Sequence, residues 1–460
     1  MNNDQTPNPI ILTPTARLAR AQKQRLTIAR QADGEQAWQS PEVLAFPAWL
    51  GRLREDWFLV AESPRVPITA SQALALWQSV VDRDVFIGEP RVAELAAAAW
   101  RLVHEYRIGL PSRWPGPLLS EDSGHFRDWT ERFLAVCDQQ ELIDEWAFAG
   151  RLPELIERGE VPLPEAIRLA GFELEMTPLQ RAIVDAAESA GTRIEREPAS
   201  EEAAALEAVE VHSEDEDELL AAARWARARL EENGDERIAV VVPGLREHLG
   251  LVERVFRQAF DPPGFSLDAR RDEPWHVSLG PALSRWPLIA DALALLKIDP
   301  HRISQPQAAT LLRSPFLAGW DHEARARVEA LAALARRRPY WLHAGQLAWQ
   351  AGDSAAKGFS GRVSEWELRR REHRDAALPS QWVARFQQEL EAIGFGHGRG
   401  LDSREFQALQ RFHELLEDFS SLDLVIERPL ARADAVRRLN ERAGAASFRE
   451  RNPGAPVEIL

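Results

Sequence analysis

Three lysines, Lys23, Lys297 and Lys357, limit the lysine-dependent chemistry that this 460-residue chain can perform. A P-loop requires Gly-Lys-Ser/Thr, in which backbone amides hold the phosphates and the lysine reaches their outer oxygens. None of the three lysines follows a glycine, so the sequence contains no standard P-loop. A restriction-type nuclease core ends in Asp/Glu-x-Lys, where carboxylates hold the metal ion that activates water. No acidic residue stands two positions before any of the lysines, so this motif is also absent.

The remaining composition removes further classes of site. A single cysteine, Cys137, excludes a disulfide framework and a multi-cysteine metal site. The sequence contains neither His-Glu-x-x-His nor Gly-x-Ser-x-Gly. With 56 basic and 72 acidic residues the net charge is −16, so any contact with nucleic acid must be a local patch. No uncharged apolar run approaches the roughly 18 residues of a membrane helix, and the first thirty residues are polar. We expect a soluble, cytoplasmic protein.

The strongest local excess of positive charge lies between Arg313 and Asp375, a segment that contains 12 basic and 8 acidic residues. Arginines there are interleaved with aromatic residues. This combination is typical of single-strand binding, because guanidinium groups contact phosphates while rings stack on bases. The alternative is a solvated arginine-rich helix face with its tryptophans in the core. The predicted DNA-binding residues are Arg336, Arg337, Arg338, Arg369, Arg370, Arg371, Trp341 and Trp366; Trp320, Tyr340 and Trp349 lie among them.

A smaller candidate for phosphate contact is the first predicted helix. Arg17 and Arg20 lie on this helix, and Thr13 and Thr15 lie at its N-terminus, where free amides attract anions. Ordinary capping by the threonines is the alternative, and it is the more common use of such residues.

In the first part of the chain, helical patterns predominate between two expected strands. Ile10–Leu12 predicts a short strand, and Thr13-Pro14 predicts the start of a helix with Thr13 as its N-cap. Residues 166–172 predict a buried strand that ends at a glycine, and Thr177-Pro178 predicts the start of a further helix. Helical periodicity covers 46–60, 69–106 and 126–158. The charged segment 193–204 is the expected domain boundary.

The second part begins with a predicted strand–helix–strand unit: a strand at 208–212, a helix at 213–231 and a strand at 237–242. Ser213 and Glu216 match a capping box, and the acids of the first turn suit the helix dipole. A metal or partner site in this acidic run is the alternative. A helix at 246–260 and a long helical region, about 281–445, follow. The final Pro456–Leu460 predicts a strand returning to this sheet, as if the chain were cut short inside a domain.

In order along the chain, four stretches resemble the AddB and RecC subunits of double-strand-break repair complexes. More closely, they resemble a bacterial family of probable DNA repair proteins with a C-terminal PD-(D/E)xK nuclease domain. The stretches are Ile10–Arg20, Phe46–Leu50, Leu169–Gln180 and Ile238–Pro243. The resemblance implies a helix-rich α/β fold with two degenerate RecA-like cores of the UvrD helicase type, each with a large helical insertion.

The two halves of a helicase ATP site are replaced together. Active helicases carry Asp-Glu-x-x-Asp after the second core strand, and its acids hold the ATP-bound magnesium. Here Gly171-Phe172, or Ala170-Gly171 in the other register, takes that place. The first strand runs into threonines and a proline where a phosphate loop would lie. The degenerate positions are Thr13, Pro14, Thr15, Gly171, Phe172 and Glu173.

Glu173 and Glu175 remain close to this place. They could act as substitute metal ligands, or they could be solvent-facing acids on a turn. Without the phosphate-binding lysine, the second interpretation is the simpler one.

The resemblance therefore implies a non-catalytic scaffold for DNA break processing, which binds single-stranded DNA or a duplex end and an AddA/RecB-type helicase-nuclease. The first helicase-like domain would span 1–200, with core strands near 10–12 and 166–172 and an insertion at about 46–158. The second would span 205–460, with its core at 208–260 and 456–460 and an insertion at about 281–445. We expect no cofactor in this chain, and Mg²⁺ only in a nuclease domain beyond Leu460.

Two other functions are compatible with the sequence. One is a helical adaptor that binds proteins and never DNA. The other is an active ATPase with an unrecognised phosphate loop, which would have to hydrolyse ATP.

Overall fold

The computed structural model describes residues 9–32, 42–81, 91–114, 120–173, 175–198, 208–261, 273–337, 339–448 and 455–460. Three parts of the predictions lie outside these ranges: residues 82–90 of the predicted helical segment 69–106, residues 199–204 of the expected boundary, and Arg338. The described residues form 17 α-helices and small parallel sheets, which is consistent with the α/β class. The chain divides into two compact units, Met1–Ala205 and Leu206–Leu460.

The first unit is built on a four-stranded parallel sheet in the order β2-β1-β5-β6. A separate pair, β3 and β4, is also parallel. The strands are β1 Ile10–Thr13, β2 Val43–Ala45, β3 Val66–Pro67, β4 Leu142–Ile143, β5 Ala166–Leu169 and β6 Arg193–Arg196. The helices are α1 Ala16–Ala32, α2 Phe46–Val60, α3 Ala70–Val81, α4 Arg91–Glu105, α5 Glu121–Gln139, α6 Glu145–Glu157 and α7 Pro178–Ser189.

The two central strands of this sheet are the two that the sequence predicts. β1 and β5 are apolar and almost wholly buried, and they pair directly, with Ile10 opposite Ile167. The sequence pattern does not predict the flanking strands β2 and β6. β6 lies in the charged segment that was interpreted as a boundary, and Arg168 of β5 pairs with its Glu195 at 3.0 Å. Edge strands carry such charges because one side of them faces water.

Helix α1 begins two residues later than the sequence predicts. Thr13 belongs to β1 and is fully buried, so it is not an N-cap. Helix α1 begins at Ala16, and the N–H of Leu18 donates to Oγ1 of Thr15 at 3.2 Å. The second start is confirmed: Thr177 and Gln180 form a reciprocal capping box at the beginning of α7.

In the second unit, a three-stranded parallel sheet in the order β7-β9-β8 accompanies ten helices among the described residues. The strands are β7 Ile238–Val240, β8 Trp275–Val277 and β9 Val457–Ile459. The helices are α8 Asp215–Glu232, α9 Leu245–Phe260, α10 Pro287–Lys297, α11 Gln305–Arg313, α12 Trp320–Arg337, α13 Ala344–Asp353, α14 Lys357–Glu372, α15 Pro379–Ala392, α16 Ser403–Ser420 and α17 Arg432–Ala445. Helices α10 to α17 lie between β8 and β9 along the chain, as the helical pattern predicts.

The expected return of the last strand to the sheet is confirmed, but one of its expected neighbours is wrong. β9 pairs with β7 on one side and with β8 on the other. Residues 208–212 form no strand, and Val209 and Val211 are 73% and 91% exposed. The valines of this segment are not covered by the sheet, and valine favours a strand only where the sheet buries it.

The capping box expected at the start of α8 is also absent. The helix begins after Glu214, and Ser213 does not cap it. The carboxylate of Glu216 instead accepts two hydrogen bonds from Arg254 of α9, each of 2.8 Å. Four acids still occupy the first turn, where they complement the helix dipole.

Candidate nucleic-acid interface

In the first unit, the turn after β1 and the turn after β5, to which the resemblance assigns the two halves of a degenerate ATP site, lie side by side. The turn after β1 and the turn after β5 are joined because the N–H of Ala170 donates to the carbonyl of Leu12 at 2.9 Å. Gly171 has a φ of +75°, and a Cβ there would lie 2.1 Å from Cδ2 of Leu18. The Leu18 side chain thus fills the space between the turns, and the nearest other group is the Pro14 ring.

The polar groups of these turns satisfy one another. Oγ1 of Thr13 donates to the carbonyl of Thr15 at 3.0 Å, and Thr15 caps α1. Phe172 packs edge-on against Phe46, with ring centroids 6.3 Å apart. The side chains of these two turns are therefore apolar or hydrogen-bonded within the turns, so they do not fit the phosphates and magnesium ion that an active helicase would hold at the positions the resemblance assigns.

Glu173 and Glu175 line a shallow hollow of about 390 Å³ beside these turns. Arginines 181 and 196 and acids 185 and 197 share it, so its charges are mixed. Among the described residues, no group of three His, Cys, Asp or Glu side chains is arranged to hold a metal ion.

Arg17 and Arg20 lie on α1, as predicted. Arg20 is exposed, and its Nε donates to the carbonyl of Ala16 at 3.4 Å. Arg17 is partly buried. At this helix start the N–H of Leu18 is capped by Thr15, which agrees with ordinary capping by a threonine.

In the second unit, the two arginine runs lie towards opposite ends of α13. Arg337 donates to Oε1 of Gln350, in the last turns of that helix, at 2.8 Å. Glu367, the ion-pair partner of Arg371, lies near Gly345, which belongs to the first turn of α13. The structure does not bring these runs into one patch.

The predicted aromatic residues divide into core and surface. Trp366 is 1% exposed and belongs to the core, so it is not available to stack on a base. Trp349 is exposed beside Arg337, and Trp341 is 40% exposed. Tyr340 is 84% exposed and meets the Trp341 ring edge-on, with centroids 5.3 Å apart. We call Tyr340 and Trp341 the aromatic pair.

The second arginine run leads into a cavity of about 690 Å³, which we call the basic pocket. It lies where the C-terminal ends of α10 and α14 meet α17. Six of its lining side chains are Lys or Arg, and Asp299 is the acidic residue among them. The lining residues are Leu296, Lys297, Asp299, Pro300, His301, Arg370, Arg371, His373, Arg374, Arg432, Ala433, Val436, Arg437 and Asn440.

A single buried carboxylate organises the floor of the basic pocket. Glu389 of α15 is 1% exposed and accepts from Nη1 and Nη2 of Arg432 at 2.8 and 2.6 Å. Nδ1–H of His373 donates to the same carboxylate at 3.0 Å. Nε of Arg370 lies 3.6 Å from it. This geometry fixes two guanidinium groups around one negative charge.

The two guanidinium groups of Arg370 and Arg432 carry more positive charge than the carboxylate of Glu389 balances, and both groups are partly buried. Burial, and next the positive charge of Arg432, lower the pKa of Arg370 to about 10, although Glu389 acts in the opposite direction. Burial also lowers the pKa of Arg432. Both groups stay charged at neutral pH. An anion that enters the pocket relieves this repulsion.

Several donors remain open to such an anion. Nη2 of Arg370 donates to the carbonyl of Ile298, whereas its Nη1 has no partner among the described residues and keeps contact with solvent. The ammonium of Lys297 donates to Asn440 at 2.7 Å and has two further hydrogens. Arg374 donates to Nε2 of His301 at 3.3 Å. Within the described ranges, neither Lys297 nor Arg374 has a carboxylate within 4 Å.

The turn at 299–303 joins the basic pocket to the aromatic pair. Ile303 and Leu342 exchange two backbone hydrogen bonds of 2.8 and 2.9 Å. The exposed guanidinium of Arg302 then lies 4.3 Å from the centre of the Trp341 ring. The turn at 299–303 thus contributes Asp299, Pro300 and His301 to the basic pocket and Arg302 to the contact with the aromatic pair.

Sequence reasoning found the second arginine run but missed the residues that complete the pocket. Arg432 and Lys297 are far from that run in the sequence and sit in ordinary helical patterns. Glu389 appears there as one more acid of an amphipathic helix. The signal that could have pointed to the site is Arg370-Arg371-Glu372-His373-Arg374 at a helix end, a cation cluster with a histidine.

In comparisons with known proteins, no family model matches the chain, and neither does any curated protein. Among the helices in the described ranges, none is both long and apolar enough to span a bilayer.

Proposed function

We propose that this chain is a non-catalytic scaffold that binds single-stranded DNA through the basic pocket and the aromatic pair of its second unit. The observation that carries the proposal is the turn at 299–303, which has open cations on one side and exposed rings on the other. Single-strand binding proteins combine the same two elements, since cations follow the backbone and rings stack on bases.

A helicase-like ancestry extends this proposal. Small parallel sheets with helices between their strands, and two adjoining turns without a phosphate-binding lysine, are compatible with two degenerate RecA-like cores. A scaffold of this kind would serve in the processing of DNA breaks. The AddA/RecB-type partner and the metal-dependent PD-(D/E)xK exonuclease domain belong to the proposal through the resemblance alone.

The test is fluorescence anisotropy of a labelled oligothymidine with variants of the proposed interface. Trp341→Ala and Arg374→Ala should each raise Kd by about fivefold or more, because each removes a stacking ring or a phosphate contact. Trp349→Ala is the matched control, since Trp349 is also exposed, at 58% against 40% for Trp341, but lies within α13 beside Arg337. Equal effects of Trp341→Ala and Trp349→Ala would contradict the proposed interface.

A protein-binding adaptor has its own support in the first unit. Leu95, Leu102 and Tyr106, on and just after α4, are exposed at helical spacing and form an apolar stripe. Such stripes often mark protein contacts. If oligonucleotides fail to bind at low salt while Leu102→Glu abolishes a protein complex, the adaptor function replaces DNA binding.

A further inference from the structure

The lining of the basic pocket combines two kinds of residue. Open cationic donors come from Arg370, Lys297 and Arg374. The apolar lining residues, which we call the apolar wall, are Leu296, Pro300, Ala433 and Val436. A ligand that suits both kinds of residue has a charged end and a less polar body. The volume of about 690 Å³ lies within the ~300–1,000 Å³ of small-molecule pockets and exceeds what a bare inorganic anion needs.

The arrangement of charge favours a dianion over a monoanion. Two guanidinium groups share the single carboxylate of Glu389, and Lys297 and Arg374 have no carboxylate partner among the described residues. Asp299 offsets part of this excess. A phosphate monoester carries about −1.5 to −2 charges at neutral pH, whereas a backbone diester carries about −1. A monoester therefore compensates more of the positive charge.

We infer that the basic pocket binds a phosphate monoester carried on a nucleoside. The phosphate meets Arg370, Lys297 and Arg374, and the sugar or base lies against the apolar wall. Two sources supply this chemistry, the phosphorylated end of a DNA strand and a free nucleotide. The first source, the end of a DNA strand, rests on the proposed function. The nucleotides next to the bound phosphate would then reach the aromatic pair across the turn at 299–303.

The experiment compares oligothymidines of equal length that carry a 5′-phosphate, a 3′-phosphate or no terminal phosphate, with the fluorophore at the opposite end. Anisotropy is measured on the full chain at fixed ionic strength. One of the two phosphorylated oligonucleotides should bind about tenfold more tightly than the unphosphorylated one. In Lys297→Gln this advantage should fall below about threefold, because the variant loses one of the contacts to the terminal phosphate.

Lys357→Gln is the matched control, because Lys357 is exposed at the start of α14, the opposite end from the pocket. Lys357→Gln removes one positive charge, as Lys297→Gln does, and this variant should still bind the phosphorylated strand about tenfold more tightly than the unphosphorylated one. Loss of the advantage in both variants would show a general effect of net charge and would overturn the inference.

Calorimetric titration with thymidine monophosphate, thymidine and inorganic phosphate tests the second source. If no oligonucleotide binds but the monophosphate does, in a Lys297-dependent manner, the inference holds and the proposed function fails. If oligonucleotides bind equally with and without a terminal phosphate and the monophosphate does not bind, the proposed function stands and the inference is overturned. Binding of inorganic phosphate as tight as that of the nucleotide also overturns it.

Discussion

Arg432 and Glu389 form a two-point ion pair between α17 and α15, with Nη1···Oε1 and Nη2···Oε2 distances of 2.8 and 2.6 Å. The carboxylate is buried, and Arg370 of α14 shares it. Nη2 of Arg432 also donates to the carbonyl of Leu296 at the end of α10. Three helices therefore hold the floor of the basic pocket through one carboxylate, and a fourth joins them through a backbone contact.

Glu389→Gln should destabilise the second unit strongly. The substitution leaves two partly buried guanidinium groups without a counter-charge, and removal of one partner from a buried pair costs about 3–5 kcal/mol. Urea unfolding measures the change in free energy. Glu391→Gln is the control, because Glu391 is exposed two residues away on the same helix and should change stability by less than about 0.5 kcal/mol. Similar costs for both variants would contradict the role of Glu389.

Trp366→Ala should act on stability and not on DNA. Trp366 is among the large side chains that are almost fully buried, and loss of such a ring typically costs about 3–5 kcal/mol. Urea unfolding should show this cost. The folded fraction should bind oligothymidine with a wild-type Kd, unlike Trp341→Ala.

Gly171→Ala tests how tightly the two turns of the first unit are joined. The new methyl group would meet Leu18, and alanine resists the positive φ, so we expect a loss of roughly 2–4 kcal/mol in unfolding free energy. Gly159→Ala has a similar φ of +70° but nothing within 4 Å of its Cβ, so it isolates the backbone cost of about 1 kcal/mol. The double substitution with Leu18→Ala should cost less than the sum of the single ones.

His104 should make the first unit less stable as the pH falls. Burial lowers its pKa from 6.5 to about 4, so above pH 6.5 the residue is neutral in both states and contributes nothing. Between about pH 6.5 and 4 the unfolded chain takes up a proton that the folded chain does not, and stability falls by up to roughly 3 kcal/mol. Unfolding free energies at pH 7 and pH 5 should differ more for the wild type than for His104→Asn. Equal pH dependence of the two proteins would contradict this assignment.

ATP hydrolysis should stay at the background rate, with or without single-stranded DNA. Leu18 packs against the Gly171 turn, to which the resemblance assigns half of the degenerate ATP site, and none of the three lysines follows a glycine. Steady-state turnover that depends on the protein would instead support an active ATPase.

The sequence predicts the parts of the fold that local pattern determines. Apolar runs at Ile10 and Ile167, and the Thr177–Gln180 capping box, are signals carried by neighbouring residues. Edge strand β6 escapes prediction because its charges pair with the next strand, as Glu195 does with Arg168. The predicted strand at 208–212 is wrong: Val209 and Val211 lie exposed outside the sheet, and a short β-branched run does not by itself specify that a sheet will bury it.

The candidate site was predictable only in part for a related reason. Arginines 370 and 371 stand in a visible basic run, but the pocket depends on Arg432 and Glu389, which only the packing of α14, α15 and α17 brings together. Trp366 illustrates the converse, since a tryptophan within a basic run points into the core as readily as outwards. Single-residue patterns do not encode such long-range pairings.

Salt dependence of oligothymidine binding by the wild-type chain tests the central claim most directly. Anisotropy at increasing salt should give a Kd that rises steeply. The logarithm of the association constant plotted against the logarithm of the salt concentration should have a slope of roughly −3, as expected for about four phosphate contacts on a single strand. That result would support a DNA-binding scaffold despite the net charge of −16. Absence of binding at low salt, or binding that does not respond to salt, would contradict it.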